Sequence, residues 1–110
     1  MDVREYLTAD GRNPYREWLD TLDVSPRARI QARVLRFSSG NLGDHKSVGA
    51  GVWEARVMFG SGYRIYFARD GAQLVFLLLG GDKSTQSTDV ARAQESWKAY
   101  QEDKRRGKTK

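Results

Sequence analysis

Val52-Trp53-Glu54-Ala55-Arg56-Val57-Met58-Phe59, followed by Gly60-Ser61-Gly62 and Tyr63-Arg64-Ile65-Tyr66-Phe67-Ala68, is where the chain takes on a period of two. Trp53, Ala55, Val57 and Phe59 share one face of an extended strand, and Glu54, Arg56 and Met58 share the other. After the glycine turn, Tyr63, Ile65 and Phe67 alternate with Arg64, Tyr66 and Ala68. Asp70-Gly71 is a strong hairpin turn. Leu74 to Leu79 is continuously apolar, as a central strand covered on both faces requires, and Gly80-Gly81 ends it. These three strands predict an antiparallel meander.

Upstream, Val3-Arg4-Glu5-Tyr6-Leu7 alternates and reads as a first strand. Asn13-Pro14 starts a helix, Asn as cap and Pro at the first helical position, running to Leu22 with Trp18, Leu19 and Leu22 inward. Ser25-Pro26 repeats the signal. Ile30, Val34 and Phe37 continue as a helical stripe until Gly40. Residues 40–51, rich in Gly, Ser and Asp, read as a loop. Downstream, Val90, Ala93, Trp97 and Tyr100 mark a last helix capped by Ser87 or Thr88. Trp18, Trp53 and Trp97 all fall at apolar phases and are expected in the core, as is Tyr63. The sum is an α+β domain: N-terminal strand, two helices, three-stranded antiparallel meander, C-terminal helix.

The chain has 110 residues and 39% hydrophobic residues, enough for one modest core. It has no cysteine, which excludes disulfides, thiolate metal sites and cysteine nucleophiles. No apolar run approaches the roughly 20 residues of a membrane span, and Met1–Glu5 lacks the apolar stretch of a signal peptide. A cytoplasmic location is expected. The formal net charge is +5. Lys104, Arg105, Arg106, Lys108 and Lys110 account for an excess of that size. A single domain over residues 1–103 with a flexible basic tail over 104–110 is therefore expected; the tail suits a polyanion such as RNA, or is simply a solvated terminus.

Three stretches carry a resemblance. Gly43-Asp44-His45-Lys46, then Gly51-Val52-Trp53-Glu54-Ala55-Arg56, then Gly60-Ser61-Gly62-Tyr63-Arg64-Ile65-Tyr66-Phe67 resemble the central motif of RelE/ParE-type toxins. Leu79-Gly80-Gly81-Asp82-Lys83-Ser84-Thr85-Gln86 and Asp89-Val90-Ala91-Arg92-Ala93 resemble the close of the HigB-like, phage-associated "addiction module killer" branch. The resemblance implies a RelE-like (barnase-type) fold. It implies the toxin of a type II toxin–antitoxin pair, neutralised by a cognate antitoxin that is often a helix-turn-helix DNA-binding protein. It implies cleavage of mRNA on the ribosome, with no metal and no cofactor. ParE relatives share the fold and inhibit DNA gyrase without cleaving RNA, so the fold alone does not choose between them. Some HigB toxins carry histidines and an Asp–Tyr cluster near the C-terminus; this chain has Asp82 and Lys83 there and His45 as its one histidine.

Cleaving RNA by internal transfer requires a deprotonated 2′-hydroxyl, a stabilised phosphorane charge and a neutralised leaving oxygen. One histidine excludes a two-histidine RNase site, which points to Arg, Lys and a carboxylate. Arg56 and Arg64 converge if their strands pair through the Gly-Ser-Gly turn, and can then clamp a phosphate; the same pattern also fits ion pairs with Glu54 on a solvated face. Lys83, after the two glycines, can protonate the leaving oxygen, bind phosphate or act as base, or simply be a loop charge. Lys46 and His45, in the loop before the second strand, are candidate RNA contacts; a lone loop histidine is more often a bystander. Tyr66 shares Arg64's face and can stack on an unpaired base. Glu54 is a candidate general base, or the carboxylate that orients Arg56. Gly80-Gly81-Asp82-Lys83-Ser84 lacks the first glycine of a phosphate-binding P-loop, so nucleotide binding is rejected.

Overall fold

The computed structural model describes residues 1–107. Its elements are β1 (Asp2–Glu5), α1 (Pro14–Asp20), α2 (Val24–Ser38), β2 (His45–Gly49), β3 (Val52–Val57), β4 (Tyr63–Asp70), β5 (Leu74–Gly81), a 3₁₀ turn (Lys83–Thr85) and α3 (Gln86–Arg105). The strands form one five-stranded sheet in the order β1-β5-β4-β3-β2. The β3–β4–β5 meander is antiparallel as expected, and β1 joins it in parallel beside β5, Val3 opposite Val75. The domain is α+β, with a mixed sheet, and its arrangement is consistent with the RelE-like fold.

Each face of the sheet carries its own core. Tyr15, Leu19, Ile30 and Phe37 from α1 and α2 pack on Ala55, Val57, Ile65, Phe67, Val75 and Leu77. Ala93 and Trp97 from α3 pack on Val52, Tyr66, Ala68, Phe76, Leu78 and Leu79. This explains the unbroken apolar run of β5, buried from both sides. A bulge between Tyr66 and Phe67, where Leu78 has no partner, lets Leu78 and Leu79 both face α3.

Local chemistry sets the helix ends. The Asn13 side chain accepts from the Arg16 N–H at 3.0 Å, and its Nδ2 donates to Glu5 at 2.8 Å, tying α1 to β1. α1 ends at Asp20, two residues short of the expected Leu22, although Leu22 still packs on the core. α2 begins at Val24 behind Asp23, so Pro26 stands in its first turn, where an N–H has no helical partner to lose. α3 begins at Gln86, earlier than the Ser87 or Thr88 cap predicts, because Asp82 and the 3₁₀ turn lead directly into it.

One expectation is corrected. Residues 40–51 are not all loop. His45–Gly49 forms the edge strand β2, whose polar residues hide its alternation, and Val48 bulges where the register shifts. α3 continues past residue 103 to Arg105, and Lys104 Nζ lies 2.5 Å from Asp70 Oδ2. The Tyr100 hydroxyl donates to the same oxygen at 2.9 Å, so this part of the tail is pinned to the β4–β5 hairpin. Lys108 and Lys110 lie outside the described residues. Among the described residues no helix is long and apolar enough to cross a membrane.

A candidate polyanion-binding cluster around Glu54

Strand register decides which side chains meet. Lys46 stands opposite Glu54, Glu54 opposite Tyr66, and Tyr66 opposite Leu79, making one row across the sheet. Arg56 stands opposite Arg64, and Arg64 opposite Gly81, making the next row on the same face. Directly opposed residues leave the same side of a sheet, so Arg56 and Arg64 start side by side on one face. α3 covers this face beyond the cluster.

Glu54 lies at the centre with 0% of its surface exposed. Its Oε2 accepts from the Tyr66 hydroxyl at 3.1 Å and from Gln86 Nε2 at 2.9 Å. Arg64 Nε stands 3.5 Å from the same oxygen, and Lys46 Nζ stands 4.0 Å from Oε1. Neither Arg64 Nε nor Glu54 Oε1 has a hydrogen-bond partner, although both are buried. The carboxylate is thus held by neutral donors and faced by two cations. Arg64, with 12% of its side chain exposed, also donates through Nη1 to the Gly62 carbonyl at 2.9 Å.

Arg56 looks the other way. Its Nε lies 3.4 Å from Asp44 Oδ2, and both side chains are well exposed. Such a pair is weak, about 0–1 kcal/mol, so Arg56 can exchange Asp44 for a phosphate at little cost. The cations facing Glu54 are thus Arg64 and Lys46, while Arg56, which one reading of the sequence pairs with Glu54, has Asp44 as its partner. Lys83 opens the 3₁₀ turn and is exposed. A Cβ placed on Gly62 would stand 3.7 Å from Arg64 Nη1 and 3.8 Å from Lys83 Cβ, so both cations border the same turn. Asp82 accepts from Ser84 N at 2.9 Å and Ser84 Oγ at 2.6 Å. Those hydrogen bonds, with a smaller contribution from Arg64, hold its carboxyl below the usual range.

Two candidates are displaced. Tyr66 is fully buried between Glu54 and α3 and has no face on which a base could stack. Burial first, and the Glu54 charge next, push its phenol up. His45 stands opposite Ala55, on the α1–α2 side of the sheet, with its ring 5.4 Å from Trp53 and 6.1 Å from Phe67, and its Nδ1 2.7 Å from the Gly43 carbonyl oxygen. It lies across the sheet from the cations.

Two residues went unread in the sequence. Gln86 reaches Glu54 from the first turn of α3, and nothing local predicts that reach. Arg33 had a signal, since it falls at i+3 from Ile30 and i−4 from Phe37, on the inward stripe of α2. Its buried guanidinium donates to the carbonyls of Arg56 (2.6 Å), Asp44 (2.7 Å) and Leu42 (3.2 Å). It fixes the end of β3 and the loop that carries Asp44, and so the place of Arg56. Gly43 gives it room, because a Cβ there would lie 2.7 Å from Arg33 Nε. Desolvation lowers the Arg33 pKa, and neighbouring Arg36 adds to this.

Among the described residues no three His, Cys, Asp or Glu side chains gather as a metal site would need. What the cluster offers is positive charge of fixed direction: two arginines side by side, one anchored and one exchangeable, with lysines at either end. That suits a phosphodiester or another oxyanion.

A family profile described as "Phage derived protein Gp49-like (DUF891)" matches residues 17–104, from α1 to the end of α3. The chain is also 44% identical over 94 residues to an uncharacterized protein of Haemophilus influenzae, covering 84% of this chain and 89% of that one. Both matches contain the whole Glu54 cluster or most of the sheet that builds it, and the chain belongs to the Gp49-like family of phage-derived proteins.

Proposed function

We propose that the chain is the toxin of a type II toxin–antitoxin pair, of the RelE/ParE superfamily and its HigB-like branch, and that it cleaves mRNA on the ribosome. The observation that carries this reading is the cross-strand pair Arg56–Arg64, backed by buried Glu54 and flanked by Lys83 and Lys46. The phage-derived family and the resemblance to addiction-module toxins support it.

In this reading Arg64 clamps the scissile phosphate and stabilises the charge that grows on it. Arg56 leaves Asp44 to take a second oxygen. Lys83 gives its proton to the leaving 5′-oxygen. Lys46 holds a neighbouring phosphate. Glu54 does not touch RNA; it positions Arg64 and Lys46. The ribosome orients the 2′-hydroxyl for in-line attack; as the P–O2′ bond forms and the P–O5′ bond breaks, the hydroxyl proton passes to solvent water, and the leaving oxygen takes the proton of Lys83. A cognate antitoxin, of the DNA-binding kind usual in this branch, holds the activity in check.

The test is induced expression in bacteria, with mRNA 5′ ends mapped shortly afterwards, translation on or blocked. New ends that vanish when translation is blocked are expected. Arg64→Ala should cut the cleavage rate by about 10² to 10³ while antitoxin binding persists. Full toxicity of Arg64→Ala at equal expression would remove Arg64 from the site. Intact messages with growth arrest and DNA damage would replace the reading with gyrase inhibition.

A further inference from the structure

Positive charge is also gathered locally in a second place besides the tail. From Val24 to Gly43 there are four arginines, Arg27, Arg29, Arg33 and Arg36, and no Asp or Glu. Arg33 is spent internally on three backbone carbonyls. Arg29 and Arg36 lie four residues before it and three after it, on the same side of α2. Together they line an open groove of about 360 Å³, whose other wall is Val57, Met58 and Phe59 at the β3–β4 turn. Among the described residues no carboxylate lies within ion-pair distance of Arg27, Arg29 or Arg36.

An ordinary solvated surface mixes both signs of charge. Here Arg29, Arg33 and Arg36 line one groove with no acid in its wall, and Asp44, the carboxylate that acts on Arg33, is paired with Arg56. The Arg29 guanidinium carbon lies over the Phe59 ring, 4.1 Å from its centre. Met58 beside it is 82% exposed. The groove touches the Arg64 cluster from behind, because Arg33 holds the carbonyl of Arg56.

The chemistry separates possible occupants. A single strand is held by free aromatic faces, and Phe59 is already covered by Arg29. A protein partner needs aromatic or aliphatic anchors seated in apolar pockets, and this groove offers one exposed methionine. A helical RNA presents rows of phosphates with little else within reach, and Arg29 and Arg36 answer that pattern.

We infer that the α2 groove is a docking surface for the phosphate backbone of a helical RNA, separate from the cluster that faces the scissile phosphate. The inference rests on the RNA-directed reading above and adds that the toxin grips structured RNA through Arg29 and Arg36 while the opposite sheet face meets the message.

The probe is an RNA hairpin of about 16 base pairs, long enough for an A-form module to span. Its binding to the full chain is followed by fluorescence anisotropy across a salt series, for the unaltered protein, Arg29→Gln/Arg36→Gln, and Arg29→Lys/Arg36→Lys. Each phosphate that is no longer neutralised should flatten the dependence of log K on log salt by about 0.9. Freeing two phosphates should weaken binding roughly 60-fold at 0.1 M salt. The lysine pair should keep most of both, and both variants should melt like the unaltered protein, since the two side chains are exposed. Equal slopes and affinities for the glutamine variant would overturn the inference. So would a glutamine variant that binds RNA normally and loses only the antitoxin. Messenger 5′-end mapping reads the cleavage proposal independently: hairpin binding lost in the glutamine variant with no cleavage by the unaltered protein would sink the nuclease and leave the docking surface standing.

Discussion

Replacing Arg33 with methionine removes a buried guanidinium and keeps most of its length. Three carbonyls then lose their donor: those of Arg56 and Asp44, at 2.6 and 2.7 Å, and that of Leu42 at 3.2 Å. A hydrogen bond to a charged donor is worth about 1.5–3 kcal/mol net, and the wild-type protein gives some of this back as the desolvation of Arg33. The Leu42 and Asp44 carbonyls are on a loop that water can reach. The Arg56 carbonyl, near the end of β3, takes the shortest of the three bonds. The expected loss is therefore about 3–5 kcal/mol, a large share of the roughly 5–15 kcal/mol that holds a small domain folded. At about 4 °C per kcal/mol for a chain of this size, the thermal midpoint should fall by roughly 12–20 °C. Circular dichroism on heating and urea titration both measure it. Arg33→Lys should recover less than half, because one ammonium cannot reach three diverging carbonyls. A fall of under about 4 °C, or full recovery by lysine, would refute the claim that Arg33 holds the loop to the sheet.

Tyr66→Phe takes one of two neutral donors from Glu54, and urea unfolding should show a loss of about 1–3 kcal/mol, with no loss counting against the buried carboxylate as a hub. At alkaline pH, the phenols of Tyr15 and Tyr100 are pushed up to about 12, in both cases chiefly by burial. The folded state therefore favours the protonated phenol, so this stability is full below pH 10 and drains as pH rises from about 10 to 12. Phenolate absorbance should show both groups resisting ionisation while the fold persists; ionisation of all five tyrosines near pH 10 in a folded chain would contradict it. At the acid end, Asp70 is lowered by its hydrogen bonds to Lys104 and Tyr100, and Glu5 by its hydrogen bond to Arg16. Their contribution is present above the ordinary carboxylate range and lost as pH falls through the depressed values. Asp70→Asn should flatten the acid side of a urea-midpoint profile below the ordinary carboxylate range, and an unchanged slope would dismiss the Asp70 pair as a contributor.

Most of the architecture was legible because the period announces it. The alternation of β3 and β4, the apolar run of β5 and the stripe on α2 each follow from burial on a known side. The alternation also put Arg56 and Arg64 on one face, and the register makes them neighbours. What local pattern does not carry is which element covers which face. Tyr66 has the parity of an exposed residue and is buried because α3 folds over it. His45 looked like part of the cationic loop; once β2 forms, a one-residue offset from Lys46 sends it to the other side of the sheet. Glu54 belongs with Lys46 and Tyr66 across the strands rather than with Arg56 along its own, since cross-strand partners approach more closely than residues two apart.

The parallel pairing of β1 with β5 has a consequence in time. Asp2 finds its partner at Leu74, 72 residues further along the chain. At 5–20 residues per second of synthesis, β1 waits about 4–14 s on the ribosome before the strand it needs has been made. Until then α1 and α2 can coil but have no sheet on which to lay their apolar sides, and contacts of such long separation form late in folding. The Arg56–Arg64 row is assembled only when the hairpins close, and β5 is held from its far edge by β1. A newborn chain thus lacks its completed sheet for most of its own translation, and its apolar strand faces stay uncovered over that interval.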